Sequence, residues 1–258
     1  MIISALEADN FIKSVQDVSA CDPFACRIIS LFNSYKPELV FVDYWLIADE
    51  NGEYNGAIAR NGSNFILFLS GKSDIDEVSS FMRVAGASAV ICDGKYSLDL
   101  IGCKTLSGVV LVRKEAFEDE ETEISFIEPD IKSVYELMTC SADENFVPPS
   151  FDDFYVDVNH KLRHNSTRIC GIERDGILAA SAMTVAESEN AAVLGAVSCR
   201  PDYRKRGFGS TLIKHITNRL VSENKSVYLH RAQNANEAFY DGLGFTEYGA
   251  WREYYLIR

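Results

Sequence analysis

Val193-Leu194-Gly195-Ala196-Val197-Ser198-Cys199-Arg200-Pro201-Asp202-Tyr203-Arg204-Lys205-Arg206-Gly207-Phe208-Gly209-Ser210 is the stretch on which the reading of this chain turns. It starts as an apolar strand that ends near Cys199. Pro201 has no N–H and stops the ladder. Three consecutive bases and two glycines follow and run straight into a helix. Physically this is an anion cradle. Gly207 and Gly209 let backbone N–H groups face outward without a Cβ in the way. The helix start carries about half a positive charge, and Arg204, Lys205 and Arg206 add full ones. Gly-rich loops often serve only as tight turns, and basic triplets often only meet water, so the surrounding sequence has to decide.

Upstream, Arg168 to Ile172 reaches an Asp175-Gly176 turn, then Ile177 to Val185, a polar turn at Glu187 to Asn190, and Ala191 to Cys199. The first half keeps the same rhythm: Tyr44 to Ala48, a turn at Asn51-Gly52, Gly56 to Ala59, a turn at Asn61-Gly62, then Phe65 to Leu69. Asn-Gly and Asp-Gly between apolar runs signal hairpins. Each half therefore reads as a three-stranded antiparallel meander followed by a helix, a diverged internal duplication. An acidic stretch, Glu115 to Asp130, divides them, giving domains 1–117 and 123–258 with a solvated connector near Glu118 to Glu123. Ser73-Asp74-Ile75-Asp76 resembles a capping box opening a helix to about Ala85, and Ser150 to Asp153 repeats the signature. Further helices are expected over Thr211 to Ser222 and Glu237 to Gly242, and a closing strand over Tyr248 to Ile257. Pro23, after Cys21-Asp22, suits a first helical turn.

Two other phosphate-loop readings fail. Gly71-Lys72-Ser73 looks like the end of a P-loop, but Ile66 occupies the required earlier glycine position. Gly207-Phe208-Gly209 lacks the third glycine of a dinucleotide fingerprint, since Leu212 stands there. The pattern that remains is Arg204-Lys205-Arg206-Gly207-Phe208-Gly209 after a strand. A second element follows: the strand Val227 to His230, then Asn234-Ala235-Asn236-Glu237-Ala238-Phe239-Tyr240-Asp241-Gly242-Leu243-Gly244-Phe245. In this order and at this separation, the two resemble the motifs of the GNAT acyltransferase superfamily over residues 123–258. The first half resembles it only through the repeat, as a degenerate lobe.

The resemblance implies a fold of the α/β (α+β) class with two GNAT-like lobes, each a mixed, mostly antiparallel sheet flanked by helices. It implies acetyl-CoA as cosubstrate and direct attack of a primary amine on the thioester. Two parallel strands, 191–199 and 226–231, would splay after a bulge at Gly195-Ala196. Val197, Ser198 and Cys199 would then border the pantetheine. The loop Arg204, Lys205, Arg206, Gly207, Phe208, Gly209 and Ser210 would hold the diphosphate. Asn236, or Asn234, would touch the cofactor from the other strand. An N–H near Ala196 or Val197 would polarise the carbonyl. Tyr240 is the family-matched acid for the leaving thiolate; its bland alternative is a buried aromatic packed on Leu243 and Phe245. The base stays open among Glu187, Glu189, Asp152, Asp153 and Glu173. Cys199 as a covalent nucleophile and a His160–His164 metal pair are both weighed and set aside, so no metal is expected.

Composition agrees. Hydrophobic residues make up 47% and charged residues 24% of 258, which is globular. No apolar run approaches a membrane span, and the N-terminus lacks a secretion pattern. The net charge of −13 makes nucleic acid and anionic membranes poor partners and a cationic, small-molecule or peptide amine a better one. Seven cysteines without a CxxC pair read as reduced thiols, hence the cytoplasm. The acceptor pocket is expected from Ser141 to Ser150 (Asp143, Glu144, Phe146, Pro148, Pro149), the following helix (Phe151, Asp152, Asp153, Tyr155) and the first half. The helix after Lys72 starts with acids, so the first lobe is expected not to bind CoA. A monomer with internal pseudo-symmetry and a homodimer both stay open. So does a non-catalytic acyl-CoA-binding regulatory protein.

Overall fold

The computed structural model describes residues 1–7, 10–118, 124–142 and 147–256. The chain opens with β1 (Ile2–Ser4), α1 (Phe11–Ser19) and α2 (Pro23–Ser34). A meander follows: β2 (Val42–Ala48), β3 (Tyr54–Asn61) and β4 (Asn64–Leu69). Next come α3 (Ile75–Val84), β5 (Ala89–Asp93), β6 (Cys103–Arg113) and β7 (Phe126–Ile127). The helices α4 (Ile131–Ser141) and α5 (Phe151–Arg163) precede a second meander, β8 (Ile169–Arg174), β9 (Ile177–Glu187) and β10 (Ala191–Cys199). The chain finishes with α6 (Phe208–Ser222), β11 (Ser226–Ala232), α7 (Glu237–Gly242) and β12 (Thr246–Leu256). No described helix is long and apolar enough to cross a membrane.

The elements match the expected α/β class, with both meanders present. The turns follow from their residues: Gly52 and Gly62 take positive φ, as do both Asp175 and Gly176, the requirement of a type I′ hairpin. Two helix starts differ from expectation. Asp74, not Ser73, caps α3, accepting from the Glu77 N–H at 3.0 Å. The helix α6 begins at Phe208, three residues before Thr211. Asp22 caps α2 with Pro23 in its first turn.

Contacts divide the chain into two compact units, and not by one cut. The first holds Met1–Val110, Arg231–Gln233 and Glu247–Arg258; the second holds Leu111–His230 and Asn234–Thr246. Relative to a boundary at 117–123, the segment from Leu111 lies in the second unit and the C-terminal strand in the first. Of the acidic connector, residues 119–123 lie outside the described residues.

Strands of the first unit run in the order β1-β2-β3-β4-β5-β12-β6. The pair β4–β5 is parallel, and β12 pairs antiparallel with β5, Trp251↔Asp93 to Tyr255↔Ala89. Alternation sends Phe65, Leu67 and Leu69 into one cluster with Val78 and Met82 of α3. Phe11 and Phe32 stack at 5.0 Å beside Tyr44 on α1 and α2. In the second unit the order is β11-β10-β9-β8-β7. Val134, Leu137, Phe154 and Val158 of α4 and α5 pack on Ile169, Leu178 and Met183. Leu212, Ile213, Ile216 and Leu220 of α6 are also buried. At about 1.5–3 kcal/mol per buried side chain, that stripe fixes α6 and with it the loop that leads in.

Candidate active site

The site of interest begins where β10 changes character. Ala191 to Leu194 are buried and pair with β11 in parallel, from Ala191↔Ser226 to Leu194↔Leu229. That pairing stops there, although β10 runs on to Cys199 and β11 to Ala232. On its other edge β10 pairs with β9, and between Gly195↔Met183 and Ser198↔Ser181 it carries one residue too many. This is a β-bulge at Ala196-Val197. Ala196 sits at φ +48, a left-handed conformation costing an alanine about 1–2 kcal/mol. A Cβ on Gly195 would stand 2.6 Å from Val185 Cγ1, so any larger residue would force Val185 to shift. Gly195, Ala196 and Val197 are half-buried, whereas the residues before them are buried. The sequence expectation of a bulge followed by a splay is what the strands do.

Past Cys199, Pro201–Tyr203 make one 3-10 turn. Lys205 (φ +60) and Gly207 (φ +85) then swing the chain into α6. The first backbone bond of that helix is Thr211 N–H to Gly207 O, 3.0 Å. The Phe208, Gly209 and Ser210 amides precede it and lack intrahelical acceptors, and no side chain caps this end. A Cβ on Gly207 would meet nothing within 4 Å; one on Gly209 would meet only the Phe239 ring, at 3.5 Å. Arg204 Nε donates to Cys199 O at 3.2 Å. The Arg206 guanidinium lies 5.3 Å from the Tyr203 ring centroid, and the Tyr203 hydroxyl donates to Asp175 at 3.2 Å.

Tyr240 is buried in α7, edge-on to Phe239 (4.9 Å) and Phe245 (6.1 Å). Because Phe239 rests on Gly209, the tyrosine helix adjoins the loop. Asn236 is the left-handed residue before α7 (φ +53). Its carbonyl accepts from Phe239 and Tyr240, while its exposed side chain makes no capping bond. Ser198 is buried; Val197 and Cys199 are half-buried. Burial pushes the Cys199 thiol up, only partly countered by Arg204. That keeps it neutral and disfavours a nucleophilic role.

The carboxylates considered as bases fare poorly. Glu187 is buried and locked by Arg168 and Lys225, each at 2.7 Å. Glu189, Glu173, Asp152 and Asp153 are exposed, and Asp153 accepts from Ser150 at the start of α5. Asp143, Glu144 and Phe146 lie outside the described residues. His160 and His164 stack at 4.2 Å, and no group of three metal-ligating side chains occurs among the described residues.

Residues 131–245 match the acetyltransferase (GNAT) family. That match spans 115 of the 258 residues and takes in β8 to α7. The solved structures extend the likeness in fold to the whole chain. A tandem GNAT protein from the clavulanic acid biosynthesis pathway superposes with a TM-score of 0.60 at 13% identity, covering 98% of this chain and 97% of that one. A Drosophila protein gives 0.63 at 11% identity, covering 100% and 98%. A GCN5-related N-acetyltransferase from Kribbella flavida gives 0.58 at 14%, covering 91% and 94%. No curated protein matches the sequence. The chain thus has the fold of tandem GNAT proteins, and its second half resembles a family of acetyltransferases.

Sequence reasoning missed two residues around this site. Phe239 packs on Gly209; its place beside Tyr240 was the available signal. Arg113 reaches the carboxyl end of α7 from outside the matched region, and nothing local in its sequence marks it.

Proposed function

We propose that the second unit is an acetyl-CoA-dependent N-acetyltransferase acting on a primary amine, carried by a small molecule or a peptide. The observation that carries this reading is the bulged, splayed strand that runs into an uncapped, basic helix start. The residues fit the cosubstrate. Val197, Ser198 and Cys199 offer backbone groups beyond the end of the β11 pairing, where a pantetheine arm would lie. The first-turn amides of α6, with Arg204, Lys205 and Arg206, would take the diphosphate. Asn236 would stand on the opposite side. Acetyl-CoA supplies the activated acyl group. The amine nitrogen forms the new C–N bond as the C–S bond breaks. The Val197 region polarises the carbonyl through an N–H, Tyr240 protonates the departing sulfur, and water carries off the amine's proton. A water relay is preferred because none of the described carboxylates considered as bases is both free and buried. The net charge of −13 favours a protonated amine as the incoming partner over nucleic acid or a membrane surface. None of the seven cysteines is in a disulfide, which supports the cytoplasm as the place of work.

A second reading, an acyl-CoA-binding regulator without turnover, is favoured by one observation, the engagement of Glu187 in ion pairs. Thiol release from acetyl-CoA over an amine panel separates the two. Turnover that Tyr240→Phe lowers at least tenfold supports the enzyme. Binding by calorimetry with no release over the panel supports the regulator. No binding at all overturns both.

A further inference from the structure

The helix that carries Tyr240 has six residues, too few to hold itself together in water. Its carboxyl end is tied off closely. The Leu243 and Phe245 N–H groups both donate to the Tyr240 carbonyl, at 3.1 and 3.2 Å, and Gly244 turns the chain at φ +65. The Leu243 and Gly244 carbonyls then accept from Arg113 Nη1 at 3.4 and 3.1 Å, while Nη2 donates to Ala116 O at 3.3 Å. The positive φ favours glycine there, and a Cβ on Gly244 would stand 3.0 Å from Arg113 Nη1, so a larger residue would press on the guanidinium. The guanidinium lies 3.8 Å from the Phe117 ring centroid. Phe117 is itself pinned to α6: its N–H donates to Asn218 Oδ1 at 2.7 Å, and its carbonyl accepts from Asn218 Nδ2 at 3.2 Å.

These contacts form one chain of support from the middle of α6 to the end of α7. A cation at a helix carboxyl end is favourable in itself. The planar fork reaches the end of α7 through Nη1 and Ala116 through Nη2 at once, where an ammonium would bind as a point charge. We propose that Arg113 is a positioning residue for Tyr240, holding the tyrosine helix in fixed relation to the helix that starts at the basic loop. This rests on Tyr240 being the proton donor. Residues 111–118 are thus a working part of the second unit rather than spacer.

The test uses the full-length chain with Arg113→Met, Arg113→Lys, Tyr240→Phe and the Arg113→Met/Tyr240→Phe pair. Hydrogen exchange is read over 237–245 and 212–220. Arg113→Met should speed exchange in the first segment at least tenfold and leave the second within twofold, with Arg113→Lys in between. In steady state, kcat should fall about tenfold while KM for acetyl-CoA stays within twofold. Once Tyr240 is Phe, removing Arg113 should cost less than a further twofold. Unchanged exchange over 237–245 overturns the proposal, as does a kcat loss that multiplies with that of Tyr240→Phe. If Arg113→Met does not fold, Arg113→Lys gives the same two readouts. If the wild type shows no turnover, the proposed reaction fails, and exchange alone still decides whether Arg113 holds the helix.

Discussion

In the first unit, β4 keeps an unbroken register with β3 from Asn61↔Asn64 to Gly56↔Leu69. Its following loop then satisfies itself. The Ser70 N–H donates to Ser73 Oγ, the Lys72 N–H to Ser70 Oγ and the Ser73 N–H to Ser70 O, while Asp74 caps α3. Asp76 and Glu77 occupy the first turn of that helix. In the second unit, β10 bulges, the loop holds three bases, and α6 starts on a left-handed glycine without a cap. Both stretches are strand, loop and helix after a meander. On the proposed reading, the difference teaches that a helix start would become an anion site by what is withheld from it. Where side chains already take the amides and acids sit on the first turn, the dipole is spent within the fold. Leu98 and Leu100 also join the apolar cluster of β4, β5 and α3 in the first unit, so that region packs with its own residues.

The closed ends of the two parallel strand pairs offer the largest expected effect. In the first unit, Ser63 O accepts from the Ser88 and Ala89 N–H groups, a backbone fastening. In the second, Glu187 gathers Arg168 and Lys225, and both bases also reach Glu223. Removing one member of a buried ionic group costs about 3–5 kcal/mol. Glu187→Ala should therefore lower stability by that order in urea unfolding at pH 7. Burial raises the Glu187 pKa, but the bonds from Arg168 and Lys225 outweigh it and leave the pKa below its ordinary value. Arg168 holds Glu223 down at about 2. Carboxyls depressed on folding stabilise above their unfolded value, 4.5 for Glu, and lose that as pH falls through the folded value. The gap between wild type and Glu187→Ala should thus narrow as pH falls below 4.5 and through the depressed Glu187 value. A constant gap would show that packing, not charge, carries the effect.

The next two predictions address the loops. Charge-assisted bonds contribute about 1.5–3 kcal/mol, and charge reversal adds repulsion. Arg204→Glu should weaken acetyl-CoA binding about 100-fold in calorimetry, while Lys72→Glu should change it less than twofold. Equal losses at both would break the contrast between the units. Gly209→Ala is gentler. Its methyl would make an ordinary 3.5 Å contact with Phe239, so Tm should move less than about 2 °C, under a ~0.5 kcal/mol change. Affinity should still fall about tenfold, because the methyl would intrude where the proposed diphosphate site meets the backbone. Unchanged affinity would mean that the ligand does not approach this residue.

Local chemistry made most of this legible in the sequence. Hairpin turns announced themselves through Asn-Gly and Asp-Gly, and the bulge through Gly195 beside a strand end. The basic triplet at Arg204 to Arg206 marked the loop. What stayed hidden depends on contacts distant in sequence. Arg113 meets Gly244 across 131 residues, and no periodicity encodes that meeting. Glu187 looked like a free acid at a turn because its partners, Arg168 and Lys225, lie 19 and 38 residues away. The last strand joins the first unit through pairing of Trp251 with Asp93, which strand propensity cannot reveal. The start of α3 slipped by one residue because Ser73 and Asp74 are both good caps, and Ser73 is occupied by Ser70 and Asn55.

That helix start supplies the smallest and most diagnostic effect. Asp74→Ala removes the acceptor for the Glu77 N–H, a loss of about 1 kcal/mol. It also exposes a free helix end, which superficially imitates α6. If an uncapped helix start were sufficient, the variant would gain a second acetyl-CoA site. It should not gain one, because the Ser70, Lys72 and Ser73 amides stay engaged by the loop's own oxygens and Asp76 and Glu77 stay on the first turn. Calorimetry should return the wild-type stoichiometry at an affinity within twofold, alongside the small drop in stability. A second binding event would show that capping alone distinguishes the two units, and that the bulge and the basic loop are dispensable for holding the cosubstrate.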